Sequence, residues 1–292
     1  MSTVAPAQIQ ISDHQPAYNL VKIWRPAVFQ GGNRSRNYFE GWYFKVVTAS
    51  GDQSYAFIPG MAIDDAGAAH AFIQFIDGQT GNTEYFSFPD TAFHYSQREF
   101  SVSIGGNRFS RAEMVLALHS PTLSIQGQVR LDSCQLLPRY PFRPGIMGPF
   151  RFAPGMETYH GLVSMDHSLS GELVLNERSV DLNGGRGYIE KDWGSSFPQK
   201  WIWMQTNHFE ETGTSFMCSI ASIPYLGLNF DGFLAFLLVD GEVQRWSTYT
   251  GARVKNLRIE QETVYFELWG GGRRLEVRAH RAGSGELAAP VA

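Results

Sequence analysis

The chain has 292 residues, 43% of them apolar and 18% charged, and a formal net charge of -4. That balance is globular, allows a sizeable core, and gives no basic face for nucleic acid. The only cysteines, Cys134 and Cys218, exclude a disulfide scaffold and fit a reducing cytoplasm, with one bridge between them left open.

The stretch 1–15 has neither the basic start nor the apolar run of a signal peptide. Helix is expected to be sparse, one or two short turns near 195–198 and in the first 35 residues. Short segments rich in β-branched and aromatic residues then predict strands at 40–47, 54–59, 71–77, 83–88, 111–119 and 123–131. Turn signals at Ser50-Gly51-Asp52, Asp77-Gly78 and Gly105-Gly106-Asn107 fit antiparallel hairpins. The residues 137–156 carry five prolines and three glycines, which forbid regular structure and mark a domain boundary. This segment reads as a linker, and its Arg residues beside aromatics also suit a lid or a membrane-touching loop. Strands resume at 159–165, 172–175, 187–192, 200–209, 215–223, 232–239, 244–250, 257–260, 264–269 and 274–280. The expected class is all-β, with very little helix: two sequential antiparallel barrel or sandwich units, 1–137 and 157–292, joined by 138–156. No apolar run is long enough for a spanning helix, so a lipid substrate would be met at the membrane surface.

The aromatic fraction, 14%, is more than a core alone usually uses. It fits an aromatic-rich β core, and equally a ring-lined pocket for flat or cationic ligands. The densest cluster of chemistry runs from Tyr188 to Trp193. Strand alternation puts Tyr188, Glu190 and Asp192 on one face, with Ile189, Lys191 and Trp193 on the other, and the two carboxylates about 7 Å apart. On an apolar face, desolvation and mutual repulsion would keep one of them protonated near neutrality. Three charges in isolation read instead as a solvated strand end, a reading that the flanking Tyr188, Trp193, Trp201 and Trp203 disfavour. In the next strand Trp201, Trp203, Gln205 and Asn207 share a face, indoles that can stabilise a cation followed by amides that can orient a hydroxyl. His208 alone carries little weight. In Phe39 to Lys45, Glu40, Trp42 and Phe44 share a face, and Glu40 fits either a barrel mouth or a pair with Arg34 or Arg36. Gln74, His70, Glu157, Tyr159 and His160 are further polar residues in apolar strands that suit the same cavity. No metal-ligand spacing, phosphate loop or nucleophile elbow is present.

With Phe39-Glu40-Gly41-Trp42-Tyr43, and above all Tyr188-x-Glu190-Lys191-Asp192-Trp193-Gly194-x-Ser196-Phe197-Pro198-x-x-Trp201-x-Trp203-x-Gln205-x-Asn207-x-Phe209, the sequence resembles the tocopherol cyclase family. The resemblance implies a lipocalin-like β fold related to carotenoid hydratases. It also implies cofactor-free, metal-free closure of a prenylated hydroquinone to a chromanol by an isomerase of the intramolecular lyase type. Relative to the family pattern the chain stops early, at 285–292, which leaves a strand expected to be missing.

An alkene is a weak base, so the chemistry asks for a desolvated carboxylic acid. Asp192 is the expected acid, with Glu190 keeping it protonated or acting as base, and His208 and Glu40 as further catalytic candidates. Trp193, Trp201 and Trp203 would face the cation, Gln205, Asn207 or His208 the phenol, and Trp42, Tyr43, Tyr159, His160 and Tyr188 the rest of the substrate. Two other readings stay open: an alkene hydratase, which differs only in its nucleophile, and a non-catalytic carrier of hydrophobic ligands.

Overall fold

The computed structural model describes residues 9–137, 140–153, 155–225 and 228–288, with backbone alone at 224, 225, 228 and 229. Among these residues the chain is all-β, as expected, and helix is confined to α1 (Tyr18–Val21) and four 3-10 turns. The first strands are β1 (Gln10–Asp13), β2 (Tyr38–Val47), β3 (Ser54–Ile63), β4 (Ala69–Asp77) and β5 (Thr83–Pro89). They are followed by β6 (Phe93–Ser96), β7 (Ser101–Ile104), β8 (Asn107–Ser110), β9 (Glu113–His119) and β10 (Ser124–Asp132). Beyond residue 156 come β11 (Thr158–Leu175), β12 (Arg178–Asp181) and β13 (Arg186–Gly194). All thirteen belong to one sheet, in the order β1-β6-β7-β8-β9-β10-β11-β13-β2-β3-β4-β5, with β12 attached to β11. Strands from both sides of residues 138–156 are therefore neighbours: β10 pairs with β11, and β13 with β2.

The sheet curls over an apolar core that includes Trp42, Phe44, Phe57, Phe93, Ile104 and Phe109. Its edge strands β1 and β5 are not paired to each other among the described residues, so it is an open, curved sheet rather than a closed barrel. A second sheet is formed by β14 (Lys200–Thr206), β15 (Ser215–Tyr225), β16 (Leu228–Val239) and β17 (Glu242–Ser247). The third contains β18 (Arg253–Glu260), β19 (Thr263–Gly270) and β20 (Arg273–His280). Phe216, Cys218, Ala235, Trp246, Phe266 and Leu268 share one buried cluster between the second and third sheets. Both cysteines are free.

The predicted turns at Gly51 and Gly105 are hairpin turns with positive φ, a conformation that glycine adopts without steric cost. The helical turn expected at 195–198 is irregular chain instead. Ser195 N–H donates to the Glu157 carbonyl and Ser196 Oγ donates to the Glu157 carboxylate, so this loop is tied to the start of β11 by hydrogen bonds that a helix would have used internally. The strands expected at 159–165 and 172–175 are one continuous strand. Irregularities in its pairing with β13, together with Gly171 at φ +123°, let it bend through the polar stretch between them. No helix among the described residues is long and apolar enough to cross a membrane.

Candidate active site

A cavity of about 410 Å³ lies between the outer face of the large sheet and the second sheet. On one side Phe39, Gly41 and Tyr43 of β2, Ile58 of β3 and Phe72 and Gln74 of β4 line it; Trp201 and Trp203 of β14 stand on the other. Met147, Phe150 and Met156, from the Pro/Gly-rich segment, form a further part of its wall.

Alternation on β13 works as the sequence predicts. Glu190 and Asp192 line the cavity, while Lys191 and Trp193 turn to the opposite face. What the sequence does not show is the partner across the ladder. His160 of β11 is in register with Asp192, and it places Nε2 3.1 Å from Glu190 and Nδ1 3.6 Å from Asp192. Tyr188, fully buried, donates its hydroxyl to Glu190 at 2.6 Å. The result is a chain, Tyr188 to Glu190 to His160 to Asp192, whose last member is one-third exposed, toward the cavity that it lines.

Burial raises the Asp192 carboxyl to about 6, against the pull of the His160 imidazolium and with help from the charge of Glu190. His160 moves the other way. Burial alone would lower it, but Asp192 and Glu190 together outweigh burial and raise it to about 9. Neutral pH therefore finds a charged imidazolium beside a carboxyl that titrates close by. The ligand atoms of His160, Glu190 and Asp192 lie within 4.8 Å of one another, close enough for one divalent cation. Both imidazole nitrogens, however, already face carboxylates, whereas a metal would take one nitrogen and leave the other to an outer partner.

Several expected site residues lie elsewhere. Glu40 and Trp42 point into the core of the large sheet, because on β2 it is the odd-numbered residues that face the cavity. Glu40 pairs with neither Arg34 nor Arg36. Its carboxylate is 2.5 Å from Lys191 Nζ and accepts hydrogen bonds from the Gln30 and Gly31 backbone N–H groups and the Tyr38 hydroxyl, which leaves it nothing to offer a substrate. Lys191 also donates to the Pro26 and Val28 carbonyls and sits between the rings of Trp42 and Trp193, at 4.8 and 4.7 Å. Trp193 stacks on Tyr159 with centroids 5.6 Å apart, and Arg151 covers both rings, so neither ring is part of the cavity wall. Gln205 and Asn207 accept from Lys45 Nζ, and Asn207 donates to Asp166 and to the Gly187 carbonyl; His208 is exposed outside the cavity.

Among the rings that do line the cavity are Tyr43, Trp203, Phe39, Phe72 and Phe150, with Phe197 and Trp201 more exposed. Tyr43 meets Trp203 edge to face at 5.3 Å, and Phe197 stacks on Phe39 at 4.4 Å and on Trp201 at 6.2 Å. Gly194, which ends β13, has the Glu157 carbonyl 1.9 Å from where a Cβ would sit. No other residue fits that close approach, and the approach sets the loop that carries Phe197.

Residues 151–224 match the family described as "Tocopherol cyclase-like". Among solved structures, CghA is similar at 11% identity and a TM-score of 0.52, over 84% of this chain and 76% of that one. CghA with Sch210972 gives a TM-score of 0.51 over the same shares, again at 11% identity. Kievitone hydratase from Nectria haematococca aligns at 12% identity and a TM-score of 0.44, over 92% of this chain and 82% of that one. No match is found among curated proteins. The resemblance to the tocopherol cyclase family thus holds over residues 151–224, the stretch that supplies His160, Glu190, Asp192, Trp201 and Trp203, on a β fold similar to that of CghA.

Proposed function

We propose that the chain is a cofactor-free cyclase that protonates an alkene of a prenylated hydroquinone or related meroterpenoid and closes an oxygen ring. The observation that carries this reading is the chain from Tyr188 through Glu190 and His160, joined by hydrogen bonds, to Asp192, an ion-pair distance from His160 at an aromatic cavity, and the tocopherol cyclase-like match over the same residues supports it.

Asp192 gives its proton to the less substituted alkene carbon, and the C=C electron pair becomes the new C–H bond. The tertiary cation left behind faces Tyr43, Trp201 and Trp203, whose ring faces attract positive charge. A lone pair of the phenol oxygen closes the ring, and the phenol proton returns to Asp192, so the atoms balance with nothing added. His160 helps at the moment of transfer, because the new carboxylate gains an imidazolium already in place. A carboxyl near 6 is also a far stronger acid than an imidazolium near 9, which makes Asp192 the donor of the two.

The pH dependence has a definite sign. As the donor must be protonated, kcat/KM should fall by about tenfold per unit once pH exceeds about 6, the value to which burial raises Asp192. A profile level up to about 9 would assign the proton to His160 instead. Product mass decides the nucleophile: a cyclised product keeps the mass of the substrate, a hydrated one gains a water, and a carrier returns its ligand unaltered. Turnover that survives a chelator is expected; loss on chelation with recovery on added zinc would make the same three residues metal ligands.

We further place the protein in the cytoplasm, in contact with a membrane surface. Phe142 and Leu20 are 84% and 73% exposed, and Trp24 packs against Phe152 at 6.1 Å. Exposed apolar side chains beside basic ones suit a headgroup zone. Phe142→Ser should reduce sedimentation with anionic vesicles several-fold.

A further inference from the structure

Gln74 and Trp203 line the cavity, and each carries a buried N–H donor, Nε2 and Nε1 respectively, that has no hydrogen-bond partner among the described residues. Gln74 is 4% exposed, in a wall otherwise built of Phe72, Ile58 and Ile76. Burying an amide without a partner is unfavourable, and an apolar residue there would cost nothing. Such a donor, held unsatisfied beside a cavity, is explained by an acceptor that the ligand brings.

The sheet register fixes where that acceptor must be. Glu190 is opposite Tyr43, and Ile58 of β3, on the strand beside Tyr43, is opposite Gln74. Gln74 therefore lies in the same cross-strand row as Glu190 but three strands away, on the order of 14 Å along the sheet. The neighbouring row, from Asp192, passes through Gly41 and Gly60 before Phe72, and the Phe72 ring lies over Gly60, so the floor between the two ends is the flat face of an aromatic ring. Trp203, edge to face with Tyr43, belongs to the acid end of the cavity. The two donors thus serve different parts of an elongated molecule.

We propose that Gln74 forms a second polar subsite that binds an oxygen acceptor, a hydroxyl or carbonyl, at the far end of the substrate's tail, while Trp203 takes the oxygen beside the reacting alkene. This rests on the proposed function and narrows it: the preferred substrate is a prenylated aromatic whose tail is oxygenated at its end, rather than a plain hydrocarbon tail.

The test uses a matched pair of probes, a farnesyl-substituted hydroquinone and its counterpart with a hydroxyl at the end of the tail. Binding is read by quenching of tryptophan fluorescence, without turnover. The wild-type protein is expected to bind the hydroxylated probe about tenfold more tightly, and Gln74→Leu to bring that ratio to about one. Gln74→Leu should also raise the Tm of the free protein, because it removes an unsatisfied buried amide; Gln74→Glu provides a second polar variant if Leu disturbs the fold. Equal affinities of the wild type for the two probes, or a preference that persists in Gln74→Leu, would overturn the subsite while leaving the cyclase reading intact. Failure of the wild type to bind either probe would remove the cyclase reading and the subsite with it.

Discussion

Asp192→Asn is expected to lower kcat/KM by about 10³-fold, the middle of the range for loss of a general acid, with little change in circular dichroism or in ligand binding. The amide keeps the shape of the carboxyl, so the cavity wall and the hydrogen bond between His160 and Glu190 can persist, but no proton is available. His160→Gln separates the roles further. If His160 only stabilises the carboxylate left after transfer, the variant keeps part of its activity and moves the fall in the pH profile upward, because the imidazolium that lowers the Asp192 pKa is gone. Complete loss in His160→Gln with activity kept by Asp192→Asn would make the imidazolium the donor. Retention of wild-type turnover by Asp192→Asn would exclude the mechanism.

Glu40→Ala should cost about 3–5 kcal/mol of stability, read as a lower denaturant midpoint at constant m-value. It strands Lys191, which has no exposed surface and keeps only the Pro26 and Val28 carbonyls and two indole faces as partners. Burial already pushes the Lys191 ammonium down to about 8 in spite of Glu40. Between that value and the ordinary lysine value the unfolded chain binds more protons than the folded one, so this residue makes stability rise with pH across that window. Replacing both partners with methionine should recover most of the loss, because a buried ion pair is costly chiefly when broken from one side. A loss below about 1 kcal/mol for Glu40→Ala would show that the segment 26–31 relaxes and lets water in. The pair is structural, yet it anchors the middle of β13, between Glu190 and Asp192, and so fixes where both carboxylates stand.

The all-β class and the hairpins were legible because β-branched and aromatic runs alternate with Gly, Asn and Asp turns. The short strands β1, β6, β7, β8 and β12 were not, since four residues hold too little alternation to be told from loop. On β13 alternation separated Glu190 and Asp192 from Lys191 correctly, as one polar set faces the cavity. It does not decide β2, where both faces are buried and periodicity cannot say which faces ligand and which faces core; Glu40 and Trp42 face the core. The contribution of His160 to the acid cluster depends on a cross-strand register 30 residues away, and that of Gln74 on three successive pairings. Gln205 and Asn207 looked like substrate ligands because their partners, Lys45 and Asp166, are remote in sequence.

The most direct measurement is a titration of the Asp192 carboxyl itself, by infrared difference spectroscopy or carbon NMR with labelled aspartate, taking the wild type minus Asp192→Asn. A carboxyl titrating at about 6 and absent from the variant is the predicted result. A difference signal that titrates at the ordinary aspartate value, about 3.8, would mean that Asp192 is almost wholly ionised at pH 6, like any solvated carboxylate, and is not the proton donor.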